Sequence, residues 1–278
     1  MSHLNKLKIS DKLAIKGGTA INYIYFNLPR LSEDIDLDYV CSHDKEQMQK
    51  DRKIIDKNLL ALFKKHGYKT EKKDSWIIAK YFLHYTGINN NKDVIKLDLN
   101  YFKRISVLPL SKKKIKHFFD IHPFEVNTYQ IEELLAEKIS AMISRSTPRD
   151  IYDIYNLEHV KYNPTLLRKL IVFYVSMHSD LRKLNLNAIE NVDAKEFTNQ
   201  LAPQLIKRNT IKISEIKEFV LKKTKTLMNF NNTEIEFIKK LYDEKEYKPE
   251  LLFNNPQLKE HPAYKKLLHE INQLANTK

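Results

Sequence analysis

Residues 34–38 read Asp-Ile-Asp-Leu-Asp, acid and apolar alternating over five positions, and no other segment limits the fold as much. A period of two is that of a strand with one face buried, so Asp34, Asp36 and Asp38 point one way and Ile35, Leu37 and Tyr39 the other. Three carboxylates on one face repel one another. A divalent cation with oxygen ligands relieves that repulsion, and so does water on an exposed edge strand. A second run, VIKLDLNY at 94–101, puts Lys96, Asp98 and Asn100 on one face against Ile95, Leu97 and Leu99. Two acids on one strand and a third on a neighbour can hold two metal ions roughly 3.5–4 Å apart for in-line phosphoryl chemistry. Asp34, Asp36 and Asp98 are therefore the candidate metal ligands. The alternative for Asp98 is a surface acid opposite a lysine on the adjacent strand.

Phosphate needs a cradle as well as a metal, and KGGTA at 16–20 offers one. Glycine occurs only four times in 278 residues, so an adjacent pair is informative. Gly17 and Gly18 let the backbone come close to a phosphate, the helix that follows presents unpaired N–H groups, and Thr19 adds a hydroxyl. The plain alternative is a tight strand-to-helix turn. The apolar run at 13–16 is the strand, and apolar spacing at 19–28 predicts the helix, up to Pro29. A long amphipathic stretch at 45–66 ends at Gly67, a good helix C-cap, and strands at 76–85 and 93–102 are joined across a polar turn.

The spacing predicts a helix over 130–145 and another beginning at Thr147-Pro148, with Thr147 as N-cap, Pro148 first in the helix and Asp150 as a capping-box acid. Lys138 and Arg145 lie seven apart and share a helix face, placed to aim positive charge at phosphates or simply to be solvated. After Asn163-Pro164 strand alternation ceases, and helical runs at 165–178, 194–207, 214–229, 233–243 and 257–275 read as a bundle. The expected architecture is α+β: a small mixed β-sheet domain with flanking helices over 1–160, followed by a C-terminal helical bundle over 161–278.

The formal charge of +13 favours an anionic partner. It is not confined to a tail: residues 161–278 carry 21 basic against 14 acidic side chains, and the rest of the chain 27 against 21. Cys41 is the only cysteine and cannot form an internal disulfide, the first ten residues lack a signal peptide's apolar run, and no apolar stretch approaches the roughly 20 residues that span a bilayer. The protein is expected to be cytoplasmic, with no membrane partner. The ten histidines show no zinc-ligand spacing.

The order GG-T/S, a helix, then R-x-S-x-D-x-D, present as GGTAINYIYFNLPRLSEDID at 17–36, resembles the nucleotidyltransferase superfamily related to DNA polymerase beta. The closer resemblance is to its AbiEii-type branch, toxins of bacterial toxin–antitoxin and phage-abortive systems. That branch carries a later E-K pair, an arginine and R-D-x-Y-D, found here in EKISAMISRSTPRDIYDI at 137–154. The resemblance covers roughly residues 10 to 160. It implies that Gly17, Gly18 and Ser32 hold a nucleoside triphosphate, that Asp34 and Asp36 hold the metal, that Lys138 contacts the nucleotide phosphates and that Asp150 completes the active site. Arg149, beside Asp150, is a further nucleotide-binding candidate.

The expected activity is transfer of a nucleotide from a triphosphate bound to Mg²⁺ or Mn²⁺ onto an acceptor hydroxyl. The resemblance implies an RNA 3′ end as acceptor, tRNA among the candidates, and a cognate antitoxin as partner. Two other classes compete: a glycosyltransferase, whose D-x-D holds a metal against a nucleotide diphosphate, and a non-catalytic RNA- or protein-binding module that keeps only the fold.

Overall fold

In the computed structural model, which describes residues 2–115, 122–206 and 212–276, the glycine pair marks the first reversal of the chain. Strand β1 (Leu13–Lys16) ends there and helix α1 (Gly17–Ala20) begins, continued by a π-helical turn at Ile21–Tyr25. That helix stops three residues short of the expected 28. Leu28 precedes a proline, which disfavours helical backbone, and it takes a φ of +47°. Strand β2 (Ile35–Tyr39) follows, then helix α2 (Lys45–Lys65), closed by Gly67 at φ +77°. The remaining strands are β3 (Lys69–Asp74), β4 (Ile78–Thr86), β5 (Lys92–Asn100), β6 (Ser111–Lys114) and β7 (Glu125–Thr128).

These form one mixed sheet in the order β3-β4-β5-β2-β1-β7-β6. Strand β2 pairs antiparallel with β1 and parallel with β5, and β1 pairs parallel with β7. Strands β3–β4, β4–β5 and β6–β7 are antiparallel. The sheet is larger than the four expected strands, because β3, β6 and β7 carry almost no apolar alternation.

Odd-numbered residues of the central strands face α2. The Tyr39 hydroxyl donates to Asp51 Oδ2 at 2.6 Å, the Tyr81 hydroxyl donates to Asp56, and the Arg52 guanidinium stacks on Tyr101 at 4.5 Å. Leu37, Leu97 and Leu99 lie on the same side with exposures of 3% or less, each contributing about 1.5–3 kcal/mol of burial. Because side chains alternate, Asp36, Lys80, Lys96 and Asp98 are all consigned to the opposite, half-buried face.

The chain divides into two compact units. The first holds Met1–Asn27 and Ser32–Gln130, including the whole sheet; the second holds Leu28–Leu31 and Ile131–Lys278. The division falls at Gln130, whereas the sequence reading puts a boundary near 160, just before Asn163-Pro164. Leu28–Leu31, which include Arg30 and Leu31 at the start of R-x-S-x-D-x-D, belong to the second unit although its helices come much later in the chain.

The second unit consists of α3 (Ile131–Arg145), α4 (Pro148–Tyr155), α5 (Pro164–Val175), the short α6 (Asn187–Glu190) and α7 (Ala194–Glu196), then α8 (Ile213–Leu227), α9 (Asn232–Tyr242) and α10 (Pro262–Asn276). The run expected at 194–207 is not one helix: α7 passes into a π-helical turn and then a 3-10 turn containing Pro203, and residue 207 lies outside the described residues. Pro262 likewise splits the run expected at 257–275. Phe173, Phe237 and Tyr264 are fully buried in this unit, and the Tyr264 hydroxyl donates to the Phe173 carbonyl at 2.5 Å.

Candidate active site

Strand register assembles the acidic part of the site. Parallel pairing of β2 with β5 sets Asp36 directly beside Asp98, and antiparallel pairing with β1 sets Lys16 beside Asp36 on its other flank. Lys80 faces Asp98 from β4. Asp98 Oδ2 lies 3.2 Å from Lys96 Nζ and 3.8 Å from Lys80 Nζ. The opposing lysine that the sequence left as the alternative for Asp98 is therefore present, together with the neighbouring carboxylate. Asp38 is on the same face but fully buried: Lys16 Nζ sits 2.6 Å from its Oδ1, and the Tyr129 hydroxyl donates to its Oδ2 at 2.7 Å. Asp34 is not in the strand, which begins one residue later; it lies at a half-buried bend.

The glycine turn packs onto this row of carboxylates. Gly17 has φ +67°, and a Cβ built there would strike the Asp36 carboxylate, coming within 3.0 Å of its Cγ. The absent side chain thus makes room for Asp36. Thr19 Oγ1 donates to the Asp34 carbonyl and lies 3.1 Å from Ser32 Oγ, so its one proton anchors the segment entering β2. Gly17, Gly18, Thr19, Ser32, Asp34, Asp36 and Asp98 are thereby gathered about the central strands of the sheet, where β1 ends and β2 begins.

The residues suit a hard divalent cation. Carboxylate oxygens are the donors, and Asp98 Oδ1 is buried with no hydrogen-bond partner among the described residues, the condition of an oxygen whose ligand comes from elsewhere. Among the described residues no three His, Cys, Asp or Glu side chains converge to hold a metal by themselves. Mg²⁺ typically takes one or two protein carboxylates and completes its shell with water and substrate phosphate, so the Asp36–Asp98 pair meets its needs.

The second unit holds a buried network of charge of its own. Lys138 on α3 is 8% exposed, its Nζ 2.9 Å from Asp150 Oδ1 and 3.0 Å from Asp153 Oδ2. Asp150 and Asp153 are three apart on α4 and so share a face. Arg30 grips Asp153 with two parallel bonds of 2.7 and 2.6 Å and donates to Gln204 Oε1 at 3.2 Å. Arg145 Nε donates to Asp150 Oδ2 at 2.6 Å, and the Thr147 hydroxyl donates to the same oxygen at 2.7 Å. The capping box expected at Thr147 is thus replaced by a bond between side chains, though Pro148 does open the helix.

Burial alone raises a carboxyl's pKa, but Lys138, Arg145 and Thr147 reverse this and hold Asp150 well below the carboxylate range. Asp153 is lowered the same way: burial opposes, and Lys138 and Arg30 prevail. Burial opposes charge on Lys138 as well, yet the two aspartates push its pKa up. The lysine is a locked ammonium. Arg149 is half-buried on the first turn of α4.

Sequence reasoning passed over Arg30 and Lys80 and left Asp153 without a role. Arg30 stood inside the quoted motif, and Asp153 is spaced to share a helix face with Asp150. Lys80 is placed beside Asp98 only by β4–β5 register, which no local pattern encodes.

No helix among the described residues is long and apolar enough to cross a membrane. No curated protein matches the chain. Among solved structures, MenT4, a nucleotidyltransferase toxin from Mycobacterium tuberculosis H37Rv, is similar in fold over 94% of this chain and 85% of its own, with a TM-score of 0.59 and 14% identity. A family model described as the nucleotidyl transferase AbiEii toxin of type IV toxin–antitoxin systems matches residues 1–219. That span takes in the glycine turn, the acidic strands and the Lys138–Asp150 helices, and sets aside sugar transfer. The chain belongs to the AbiEii family and is a nucleotidyltransferase of the toxin class.

Proposed function

We propose that this enzyme transfers a nucleotide from a nucleoside triphosphate with Mg²⁺, or Mn²⁺, to a hydroxyl of an RNA acceptor, an RNA 3′ end such as that of tRNA, and that an antitoxin encoded with it restrains the outcome. The observation that carries the reading is the side-by-side register of Asp36 and Asp98 on parallel strands, with one buried Asp98 oxygen lacking a hydrogen-bond partner among the described residues. Asp36 and Asp98, with Asp34 at the entrance to β2, are the residues to hold the metal. A divalent cation bound there would polarise the transferring phosphate and favour ionisation of the attacking hydroxyl.

The chain's own groups do the rest. Backbone N–H groups at Gly17 and Gly18 and the Ser32 hydroxyl would donate to phosphate oxygens, while Thr19 keeps the segment entering β2 in position. In the second unit Lys138 fixes Asp150 and, through it, Arg145. Arg145, whose side chain is 60% exposed, and the half-buried Arg149 are the cations of this network that an anion can reach. The basic character of both halves of the chain supports a polyanionic acceptor.

The test is incubation of the protein with each α-³²P-labelled nucleoside triphosphate, Mg²⁺ and total bacterial RNA, beside Asp36→Asn and Asp98→Asn. Label on RNA only with the unaltered protein is expected. Label on protein instead of RNA would overturn the acceptor assignment, and equal label with both variants would overturn the carboxylate assignment.

A further inference from the structure

The surroundings of Asp98 are unusual for a surface acid. Two ammonium groups converge on one of its oxygens, Lys96 from two residues earlier on β5 and Lys80 from directly across on β4, while the other oxygen is buried with no hydrogen-bond partner among the described residues. Neither lysine is needed to hold the strands together, since β4 and β5 pair continuously over nine residues each. A partly exposed cross-strand ion pair adds little to a sheet, and a second lysine on the same oxygen adds less. The Lys80 and Lys96 side chains are 40% and 32% exposed respectively, on flexible four-carbon stems that can swing.

A divalent cation taking up Asp98 would meet both ammonium groups within a few ångströms and be repelled by them. The lysines must then move, and a triphosphate arriving with the metal supplies the negative charge to receive them. We propose that Lys80 and Lys96 are triphosphate-binding residues that compete with the divalent cation for Asp98 until the nucleotide draws them away. The same two side chains thus weaken binding of the metal alone and strengthen binding of the metal with its nucleotide. This rests on Asp98 as a metal ligand, and the experiment separates the two claims.

The experiment uses the full chain, with Lys80→Met, Lys96→Met, the double variant and Asp98→Asn, each first checked for an unchanged thermal midpoint. Methionine keeps the length of the stem and removes only the charge. Two ligands are titrated: Mn²⁺ alone, followed by its free-ion resonance signal, and inorganic tripolyphosphate in excess Mg²⁺, followed by calorimetry. The double variant is expected to bind Mn²⁺ alone about 4- to 25-fold more tightly, each lysine contributing about 2- to 5-fold. It is expected to bind tripolyphosphate on the order of 10- to 100-fold more weakly. Asp98→Asn is expected to lose Mn²⁺ binding. If Asp98→Asn loses Mn²⁺ while the double variant leaves both affinities unchanged, or weakens both, the lysine proposal is overturned and the metal assignment stands. If Asp98→Asn binds Mn²⁺ normally, the metal assignment fails and the competition falls with it.

Discussion

Alanine at Gly17 is expected to harm activity far more than stability, and Gly67 provides the control that separates the two. Both glycines have positive φ, +67° and +77°. Placing a Cβ on such a backbone costs about 1–2 kcal/mol at either position. Their surroundings differ: nothing lies within 4 Å of a Cβ at Gly67, whereas at Gly17 it comes within 3.0 Å of Asp36 Cγ and nearer still to the carboxylate oxygen. Restoring ordinary contact at 3.4 Å or more forces Asp36 aside, because the other party is the fixed backbone of the β1–α1 turn.

A displacement of about 1 Å at a reacting centre costs on the order of 10²-fold in rate. Urea unfolding of Gly17→Ala and Gly67→Ala should therefore show similar losses of about 1–2 kcal/mol. Nucleotide transfer, measured with labelled triphosphate per folded molecule, should fall on the order of 10²-fold for Gly17→Ala and stay at the starting rate for Gly67→Ala. Equal transfer rates in the two variants would refute the idea that the missing side chain exists to seat Asp36.

Asp153→Asn should strip a fully buried acceptor from both Arg30 and Lys138, destabilising the protein by about 3–5 kcal/mol in denaturant unfolding. Asp150 and Asp153 both have lowered pKa values, so the stability they confer is complete above the unfolded carboxyl value near 3.9 and is lost as pH falls below it towards the folded values. The gap between the unaltered protein and Asp153→Asn should accordingly be constant at neutral pH and narrow only below about pH 4; a gap that closes by pH 6 would contradict the network. Asp36→Asn should lower transfer on the order of 10²–10³-fold or more without lowering the thermal midpoint, as calorimetry alongside the labelling assay will show. Glu234, fully buried, accepts from Arg168 Nε at 2.8 Å and closes a capping box with Asn231, so Glu234→Ala should cost about 2–3 kcal/mol in urea unfolding and leave Mn²⁺ affinity untouched.

The parts of the fold legible in the sequence are those in which burial imposes a period. Strands β4 and β5 and helices α2 and α3 each bury one face, and their expected limits lie within two residues of those observed. β2 was legible for the same reason, although its acid face turned out to hold a buried ion pair at Asp38. Strands β3 and β6, Lys-Thr-Glu-Lys-Lys-Asp and Ser-Lys-Lys-Lys, escaped because they lie at the two edges of the sheet, joined by backbone hydrogen bonds that leave no trace in side-chain pattern. In the site, Asp36 and Asp98 could each be picked out from alternation, but their adjacency depends on parallel pairing between segments some sixty residues apart. The Arg30–Asp153 contact joins residues 123 apart, and no local rule reports it.

That last contact also bears on the order in which the molecule can be made. Residues 28–31 leave the ribosome early, but the groups that seat them, Asp153 and Gln204, emerge 123 and 174 residues after Arg30. At about 5–20 residues per second the first delay alone is roughly 6–25 s, during which the stretch just ahead of Ser32 and Asp34 has nothing of its own unit to hold it. A growing chain thus carries Leu28–Leu31 long before it carries the groups that seat them, and the second unit cannot be finished until most of its helices have been synthesised.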